Sequence, residues 1–144
     1  DATPGQILSD AGLSSRLDHR VISVVRTFPI RVAGNSGPMS QEISWSDIGV
    51  DEEHTTVTGK VRRVGRYDED QVVRMVTMCR PDMICLTFLD YLYTGLTGVN
   101  NPNHIKAVAG RFMQSLEDLG TTVRWVSTGP GLITDLAPLA PEND

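Results

Sequence analysis

The 144-residue chain has few of the side chains from which disulfide scaffolds and zinc sites are built, with two cysteines and three histidines. Cys79 and Cys85 lie in segments that predict a helix end and a buried strand, which favours reduced thiols over a disulfide framework. The histidines are scattered, and none has metal-ligand spacing to another histidine or to a cysteine. The sequence therefore argues against a protein-built zinc site.

Long apolar runs are also lacking. No stretch approaches the ~20 apolar residues of a membrane-spanning helix, and none has the pattern of a signal peptide. The formal net charge of -5 argues against a general nucleic-acid binder, because phosphate backbones require a broad basic face. We therefore expect a cytoplasmic protein with no membrane and no nucleic-acid partner.

The composition is that of one globular domain or a piece of a larger one, with 40% hydrophobic and 22% charged residues. Thr3 followed by Pro4 is a helix-start pattern close to the first residue, Asp1, so we expect further chain to precede it. Residues 1–135 are predicted to form the folded portion. Residues 136–144 combine prolines with acidic residues and are predicted to be a frayed tail.

The densest chemical signal is a group of four cations within residues 60–66, in a protein of negative net charge. Thr58 and Gly59 precede the cations, and Gly65 interrupts them. Arginine offers planar, forked donors to carboxylate or phosphate, so this segment suits a small anionic ligand. The alternative is a solvated surface loop, the commoner fate of an isolated basic run.

Three segments of strand length alternate with two amphipathic helical patterns. The strand-like segments are residues 20–26, 83–89 and 121–126. Apolar residues at helical spacing in residues 70–78 and 105–119 predict the helices between them. This order predicts an α/β fold with a parallel sheet and crossover helices, in which ligands lie beyond the carboxyl ends of the strands.

The loops after these strands are the candidate ligand contacts. Residues 87–90 and 127–130 each follow a strand, so both are expected on one rim of the sheet. Residues 33–38 contain two glycines and a proline, which form either a plain turn or a close approach of backbone to a ligand.

The usual phosphate-cradling loop is not present. Val61 follows Gly59-Lys60 where serine or threonine is required, and His54 occupies the place of the first glycine. A nucleotide would therefore contact this chain through its base and ribose more than through its triphosphate. No nucleophile–histidine arrangement can be argued from residue order alone, so no catalytic residue is predicted in this chain.

Five segments occur in the order and spacing of a known family. They are Arg26-Thr27-Phe28-Pro29-Ile30-Arg31-Val32 with Gly34-Asn35-Ser36-Gly37-Pro38, then Glu42-Ile43-Ser44-Trp45, Thr58-Gly59 with Arg62-Arg63, Leu86-Thr87-Phe88-Leu89-Asp90, and Ser127-Thr128-Gly129-Pro130. Over nearly its whole length, to about Pro130, the chain resembles the C-terminal part of adenylosuccinate synthetase. The compact second segment is similar to that of the archaeal-type enzymes and their viral relatives, the 2-aminoadenylosuccinate synthetases.

The resemblance implies an α/β fold related to the P-loop nucleoside triphosphatases, and a carbon–nitrogen ligase of purine biosynthesis. In this family a nucleoside triphosphate phosphorylates the 6-oxygen of a purine monophosphate, and L-aspartate then displaces the phosphate. The viral branch implies dGMP as acceptor, 2-aminodeoxyadenylosuccinate as product, and ATP or dATP as donor. The alternative is the standard enzyme, which uses IMP and GTP.

The resemblance also assigns ligand-binding roles to residues of this chain. Those implied to bind aspartate are Thr58, Gly59, Lys60 and Arg62, and those near the monophosphate ribose are Val32 and Gly34. Those implied to contact the base of the donor nucleotide are Phe88, Asp90, Ser127, Gly129 and Pro130.

Two positions depart from the family pattern. Lys60 stands where the family usually has arginine, which replaces a forked contact by a point charge. Phe88 stands where the family usually has lysine, and an aromatic ring can stack on a base but is not a cation. The second departure favours ATP or dATP over GTP.

The family's phosphate loop, Mg²⁺-binding and catalytic carboxylate, and catalytic histidine belong to an N-terminal half that this sequence does not include. The resemblance therefore implies Mg²⁺ as cofactor, with its ligands in that half, and a homodimer of the complete enzyme. The partners implied are purine nucleoside mono- and triphosphates, L-aspartate and the N-terminal half. The rival hypothesis is a non-catalytic nucleotide-binding remnant or partner subunit.

Overall fold

The computed structural model describes residues 3–137. Its helices and strands are, in chain order, α1 (Pro4–Asp10), β1 (Ile22–Arg26), β2 (Ile30–Arg31), β3 (Glu42–Ile43), α2 (Trp45–Ile48), β4 (Arg63–Gly65), α3 (Glu69–Cys79), β5 (Met83–Thr87), α4 (Leu89–Leu92), a 3₁₀ turn (Thr94–Leu96), α5 (Pro102–Glu117), β6 (Val123–Gly129) and β7 (Leu132–Asp135). None of the helices within residues 3–137 is long and apolar enough to cross a bilayer.

The larger sheet has the strand order β1–β5–β6–β7. The first three strands are parallel, and α3 and α5 are the helices between them in the chain. The predicted parallel sheet with crossover helices is therefore confirmed. The sequence did not predict the edge strand β7. A tight turn at Pro130-Gly131 folds this strand back antiparallel onto β6, and Gly131 adopts the left-handed φ of 70° that the turn needs.

The main core lies between this sheet and α5. Ile84 and Leu86 of β5 are fully buried, as expected for a central parallel strand. The side chains of α5 that pack against them share one helical face: Ile105, Ala109, Met113 and Leu116. Asn101 caps the start of α5 by accepting hydrogen bonds from the Asn103 and His104 amides at 3.0 and 3.2 Å. This helix begins and ends close to where its apolar periodicity predicts.

A second, smaller sheet of order β2–β4–β3 lies beside the first and has its own core of Phe28, Trp45 and Val64. The sequence of residues 41–53 predicts an irregular, exposed segment anchored by Trp45. The prediction of an irregular segment is wrong, because these residues contain β3 and α2. A capping box starts α2: the Ser44 side chain accepts from the Asp47 amide, and the Asp47 carboxylate accepts from the Ser44 amide. Trp45, predicted as an anchor, is only 5% exposed.

The predicted boundary of the tail at residue 136 lies too early. Leu136 is 5% exposed and packs in the main core, and its amide donates to the Arg124 carbonyl at 2.9 Å. The Lys106 Nζ donates to the Leu136 carbonyl at 2.8 Å. The Leu136 amide thus continues the sheet edge beyond β7. The apolar side chain at this position was the available signal in the sequence, although the neighbouring prolines favoured a tail. Residues 138–144 of the predicted tail lie outside the described residues.

Candidate functional site

The cation-rich segment forms a closed turn, which we call the cation loop (residues 53–62). The Thr55 amide donates to the Lys60 carbonyl at 2.9 Å, and the Gly59 amide donates to the Thr55 carbonyl at 3.0 Å. The Thr55 and Thr58 hydroxyls lie 2.5 Å apart. Gly59 adopts φ 62°, a left-handed angle that other residues take only at a cost. The loop is therefore a defined structure whose hydroxyls face each other.

The neighbouring arginines of this segment have different surroundings. Arg63 pairs with Glu42 at 2.6 Å and donates to the Gly37 carbonyl at 2.8 Å, so it joins the small sheet to residues 33–38. Its hydrogen bonds hold the pKa of the Glu42 carboxyl below its ordinary value. The Nε of Arg62 is buried and has no hydrogen-bond acceptor within residues 3–137. Arg62, unlike Arg63, can therefore accommodate an acidic ligand without breaking an existing pair.

A cavity of about 510 Å³ opens between the cation loop and the chain after β2. Its lining residues are Val32, Ala33, Thr55, Thr56, Val57, Thr58, Lys60 and Arg62. The structure thus brings the predicted aspartate residues together with Val32, a predicted ribose contact about 25 positions earlier. Gly34 follows directly with φ 81°, in the turn-rich segment predicted from its composition.

A second group of predicted residues lies on the rim formed by the carboxyl ends of the parallel strands. β5 ends at Thr87, two residues before the end of the predicted strand segment, because Phe88 adopts φ 61° and ψ 36° and turns the chain into α4. This left-handed angle is unusual for an aromatic residue, and the Thr27 hydroxyl stabilises it by donating to the Phe88 carbonyl at 2.6 Å. The strained turn projects Asp90 from the first turn of α4.

The Asp90 carboxyl is half-buried, and its Oδ1 has no hydrogen-bond donor within the described residues. Desolvation by burial raises the pKa of this carboxyl above its ordinary value. A buried acceptor of this kind is stabilised when a ligand supplies N–H donors. Asp90 is therefore suited to contact the donor edge of a base.

Ser127, Gly129 and Pro130 lie at the carboxyl end of β6, next to β5, so the prediction of a shared rim is confirmed. The prediction that residues 127–130 form a loop is wrong, because β6 continues to Gly129 to pair with β7. The Ser127 hydroxyl donates to the Gly129 carbonyl at 3.2 Å. Helix α4, whose first turn contains Asp90, packs against β6.

The sequence prediction missed three side chains beside this rim: Arg26, Glu53 and Tyr91. The Arg26 guanidinium lies 3.5 Å from the centroid of the Phe88 ring and pairs with Glu53 at 2.6 Å. The Tyr91 ring meets Phe88 edge-on at 4.9 Å, and burial followed by the Glu53 charge raises the pKa of its hydroxyl. The available signal was the position of Arg26 as the last residue of β1, at the same edge of the sheet.

The predicted alternatives for Phe88 were a base platform and a core residue. The ring is half-buried and lies outside both apolar cores. One of its faces is covered by the Arg26 guanidinium. Stacking on a base is therefore restricted to the opposite face.

Within residues 3–137 no cluster of three or more His, Cys, Asp or Glu side chains could hold a metal ion. Ligands for Mg²⁺ remain a prediction for a part of the fold outside this chain.

Comparison with known proteins shows which family this chain is related to. The chain is 40% identical over 95 residues to the N6-succino-2-amino-2'-deoxyadenylate synthase of Vibrio phage phiVC8, covering 64% of this chain. It is 33% identical over 134 residues to the adenylosuccinate synthetase of Methanocaldococcus jannaschii, covering 90% of this chain. The chain is homologous to the C-terminal part of the adenylosuccinate synthetase family. It spans 28% and 38% of the length of these two relatives.

A solved structure supports the same family at the level of the fold. Succinoaminodeoxyadenylate synthetase of cyanophage S-2L, bound to dGMP and to dATP as an energy donor, superposes with a TM-score of 0.73 at 26% identity. The match covers 96% of this chain and 40% of that one. The predicted α/β class related to P-loop nucleoside triphosphatases is confirmed. No protein-family model matches the sequence.

Proposed function

We propose that this chain is the C-terminal part of a ligase that joins L-aspartate to the 6-position of dGMP, with ATP or dATP as donor. The observation that supports this most strongly is the 40% identity to the N6-succino-2-amino-2'-deoxyadenylate synthase of Vibrio phage phiVC8. The cyanophage neighbour, bound to dGMP and dATP, supports the same acceptor and donor. The product would be 2-aminodeoxyadenylosuccinate.

In this proposal the cation loop binds the carboxylates of aspartate. Arg62 has a buried Nε without an acceptor in residues 3–137, and Lys60 and Thr58 line the same cavity. Two cations and a hydroxyl at one cavity wall match the charge of a dicarboxylate. Val32 lines the same cavity, and Val32 and Gly34 would contact the ribose of the acceptor nucleotide.

The rim at the ends of β5 and β6 would hold the base of the donor nucleotide. Asp90 supplies an acceptor without a protein donor in the described chain, and Ser127, Gly129 and Pro130 form the adjacent wall. Guanine offers both its N1 proton and its 2-amino group to a carboxylate, whereas adenine offers its 6-amino group. Base–aromatic stacking does not depend on base identity, so a stack on Phe88, worth roughly 1–3 kcal/mol, would suit either base.

The chemistry itself is assigned to the part of the fold outside this chain. That part would supply the phosphate cradle and the Mg²⁺ ligands, which position the γ-phosphoryl group and neutralise its charge. The γ-phosphoryl group would be transferred to the 6-oxygen of dGMP with release of the nucleoside diphosphate. The aspartate amine would then attack C6, and phosphate would leave with the former 6-oxygen. A homodimer and a cytoplasmic location belong to the same proposal.

Two other functions are specific enough to test. The 33% identity to an archaeal adenylosuccinate synthetase over 90% of this chain supports IMP and GTP as substrates. The second alternative is a nucleotide-binding remnant or partner subunit without ligase activity, which binds nucleotide but does not join aspartate to it.

Donor use separates these possibilities. The assay requires the complete synthetase, meaning this chain together with the part of the fold that it lacks. We expect phosphate release that depends on both dGMP and aspartate with ATP or dATP as the sole donor. Strict dependence on GTP would overturn the viral-type assignment. Nucleotide binding without aspartate-dependent phosphate release would favour the remnant.

A further inference from the structure

The Arg26 side chain connects two parts of the site that the sequence places far apart. Arg26 is the last residue of β1 and pairs in register with Thr87 of β5. Its Nη2 donates to the Glu53 carboxylate at 2.6 Å, and its Nε donates to the Phe28 carbonyl at 3.2 Å. The guanidinium plane also lies over the Phe88 ring at 3.5 Å. The guanidinium is thus held at once by an ion pair, a hydrogen bond to backbone and a cation–π contact.

Glu53 connects Arg26 to the cation loop. The Glu53 carbonyl accepts from the Arg62 amide at 2.8 Å, so the backbone of Glu53 holds Arg62 in place. The Nε of Arg62 is the buried donor that has no acceptor within residues 3–137. The Arg62 carbonyl in turn accepts from the Trp45 indole N–H at 2.8 Å. A displacement of the Glu53 side chain is therefore transmitted to Arg62 through one residue's backbone.

Phe88 connects Arg26 to the base-binding rim. It begins α4 in a left-handed conformation, and Asp90 lies in the first turn of that helix. The side chains of Arg26 and Glu53 are 19% and 22% exposed, so water screens their pair less than it screens a surface pair. The cluster of Arg26, Glu53 and Phe88 is thus a partly desolvated link between the two predicted ligand sites.

We propose that Arg26 is a positioning residue that couples the two sites, so that a donor nucleotide bound at Phe88 and Asp90 strengthens aspartate binding at Arg62. The physical reason is that a base held at Asp90 and against the Phe88 ring restricts the motion of that ring. The ring then fixes the guanidinium, and the guanidinium holds Glu53 and the base of the cation loop. This inference rests on the proposed function, because it takes the ligands of the two sites from it.

The test is a linkage measurement on the complete synthetase without an acceptor nucleotide, so that no reaction occurs. Calorimetry gives the aspartate Kd with and without saturating dATP. Couplings of this kind are typically about 5–150-fold, and we expect at least 5-fold tighter aspartate binding with dATP. In Arg26→Gln the ratio should fall to within about 2-fold of one, while each ligand alone still binds.

Arg124 provides a matched control. It also has a carboxylate partner, Asp135 at 2.7 Å, and lies 5.7 Å from the centroid of the Trp125 ring. It stands near the amino end of β6, away from the rim. Arg124→Gln should keep the wild-type ratio. If Arg26→Gln does not fold, Phe88→Leu tests the same link, because it removes the ring and leaves the Arg26–Glu53 pair.

The outcomes separate this inference from the proposed function. Binding of both ligands to the wild type with a ratio near one would overturn the coupling and leave the proposed function standing. An unchanged ratio in Arg26→Gln, or in Phe88→Leu where that variant is used, would also overturn it. Failure of the wild type to bind either ligand would overturn both.

Discussion

Arg62 and Arg63 show how two identical neighbours take different roles. Arg63 lies in β4 and satisfies its guanidinium with Glu42 and with backbone in residues 33–38. Arg62 precedes the strand, lines the cavity, and has a buried Nε without a protein acceptor in the described range. A side chain that is already paired stabilises the fold, whereas a desolvated donor without a partner favours an anionic ligand.

We expect Arg62→Ala to lower kcat/KM for aspartate strongly while leaving nucleotide affinity nearly unchanged. Losing one partner of a desolvated charge pair costs about 2–5 kcal/mol. Arg66→Ala is the control, because Arg66 is an exposed cation of the same segment outside the cavity lining. Steady-state kinetics of the complete synthetase measure both variants. Unchanged aspartate kinetics in Arg62→Ala would identify the cation loop as solvated surface.

Asp90 gives a pH-dependent prediction whose sign follows from its burial. Because desolvation raises its pKa in the folded state, its ionisation costs stability above the folded pKa, and the cost vanishes below the unfolded pKa of about 3.9. Asp90→Asn should therefore raise the thermal midpoint at pH 7. This gain should disappear as the pH falls from the folded pKa of Asp90 to its unfolded pKa.

Asp135 is the control of opposite sign for this pH experiment. A hydrogen bond from the Ala137 amide, followed by its contacts with Arg124, lowers the pKa of its carboxyl. Its stabilisation is present above the unfolded pKa and is lost as pH falls through the folded pKa. Asp135→Asn should therefore lower the thermal midpoint at pH 7. Equal midpoints for wild type and Asp90→Asn at pH 7 would show that Asp90 is not desolvated.

At the scale of elements, regular periodicity was the reliable signal. Strand β5 and helix α5 follow from continuous apolar character and from three- and four-residue spacing. Short elements such as α2 contain too few residues for a period, and α2 depends on one capping box and on the tertiary burial of Trp45. Strand β7 depends on pairing with β6, a non-local contact that composition does not encode.

The candidate site, like the fold, could be predicted from the sequence only in part. The rim follows from strand order, since the carboxyl ends of parallel strands meet at one edge. Specific ligand roles came from the family resemblance and stay predictions for each residue. The Arg26–Glu53 pair joins positions 27 residues apart, and only the folded chain shows that they meet.

The cation loop provides a prediction for an element. Gly59 adopts φ 62° and has open space where a Cβ would lie, so Gly59→Ala isolates the backbone cost, about 1–2 kcal/mol. Faster hydrogen exchange in a peptide spanning residues 54–62, together with weaker aspartate binding, is the expected result. Gly110→Ala is the control: it also meets open space but lies in helix α5, where alanine is favoured. Equal exchange of the loop in wild type and Gly59→Ala would contradict a defined turn.

At the scale of the whole molecule, the site combines both sheets. The rim at the ends of β5 and β6 carries Asp90 and Ser127, while the cation loop leads into β4 of the smaller sheet and is held at its end by the Trp45 indole, which donates to the Arg62 carbonyl. In the proposed function the rim recognises a base and the cation loop recognises an acid, and phosphoryl transfer is expected to require the rest of the fold.

The central claim is tested most directly by product formation from dGMP, L-aspartate and dATP. We expect the complete synthetase to form 2-aminodeoxyadenylosuccinate, identified by mass spectrometry, and the 144-residue chain alone to form none. Omission of aspartate from the complete reaction is the control and should abolish the product. Absence of ligated product from dGMP with dATP, including the case in which the complete synthetase forms product only from IMP with GTP, would contradict the account.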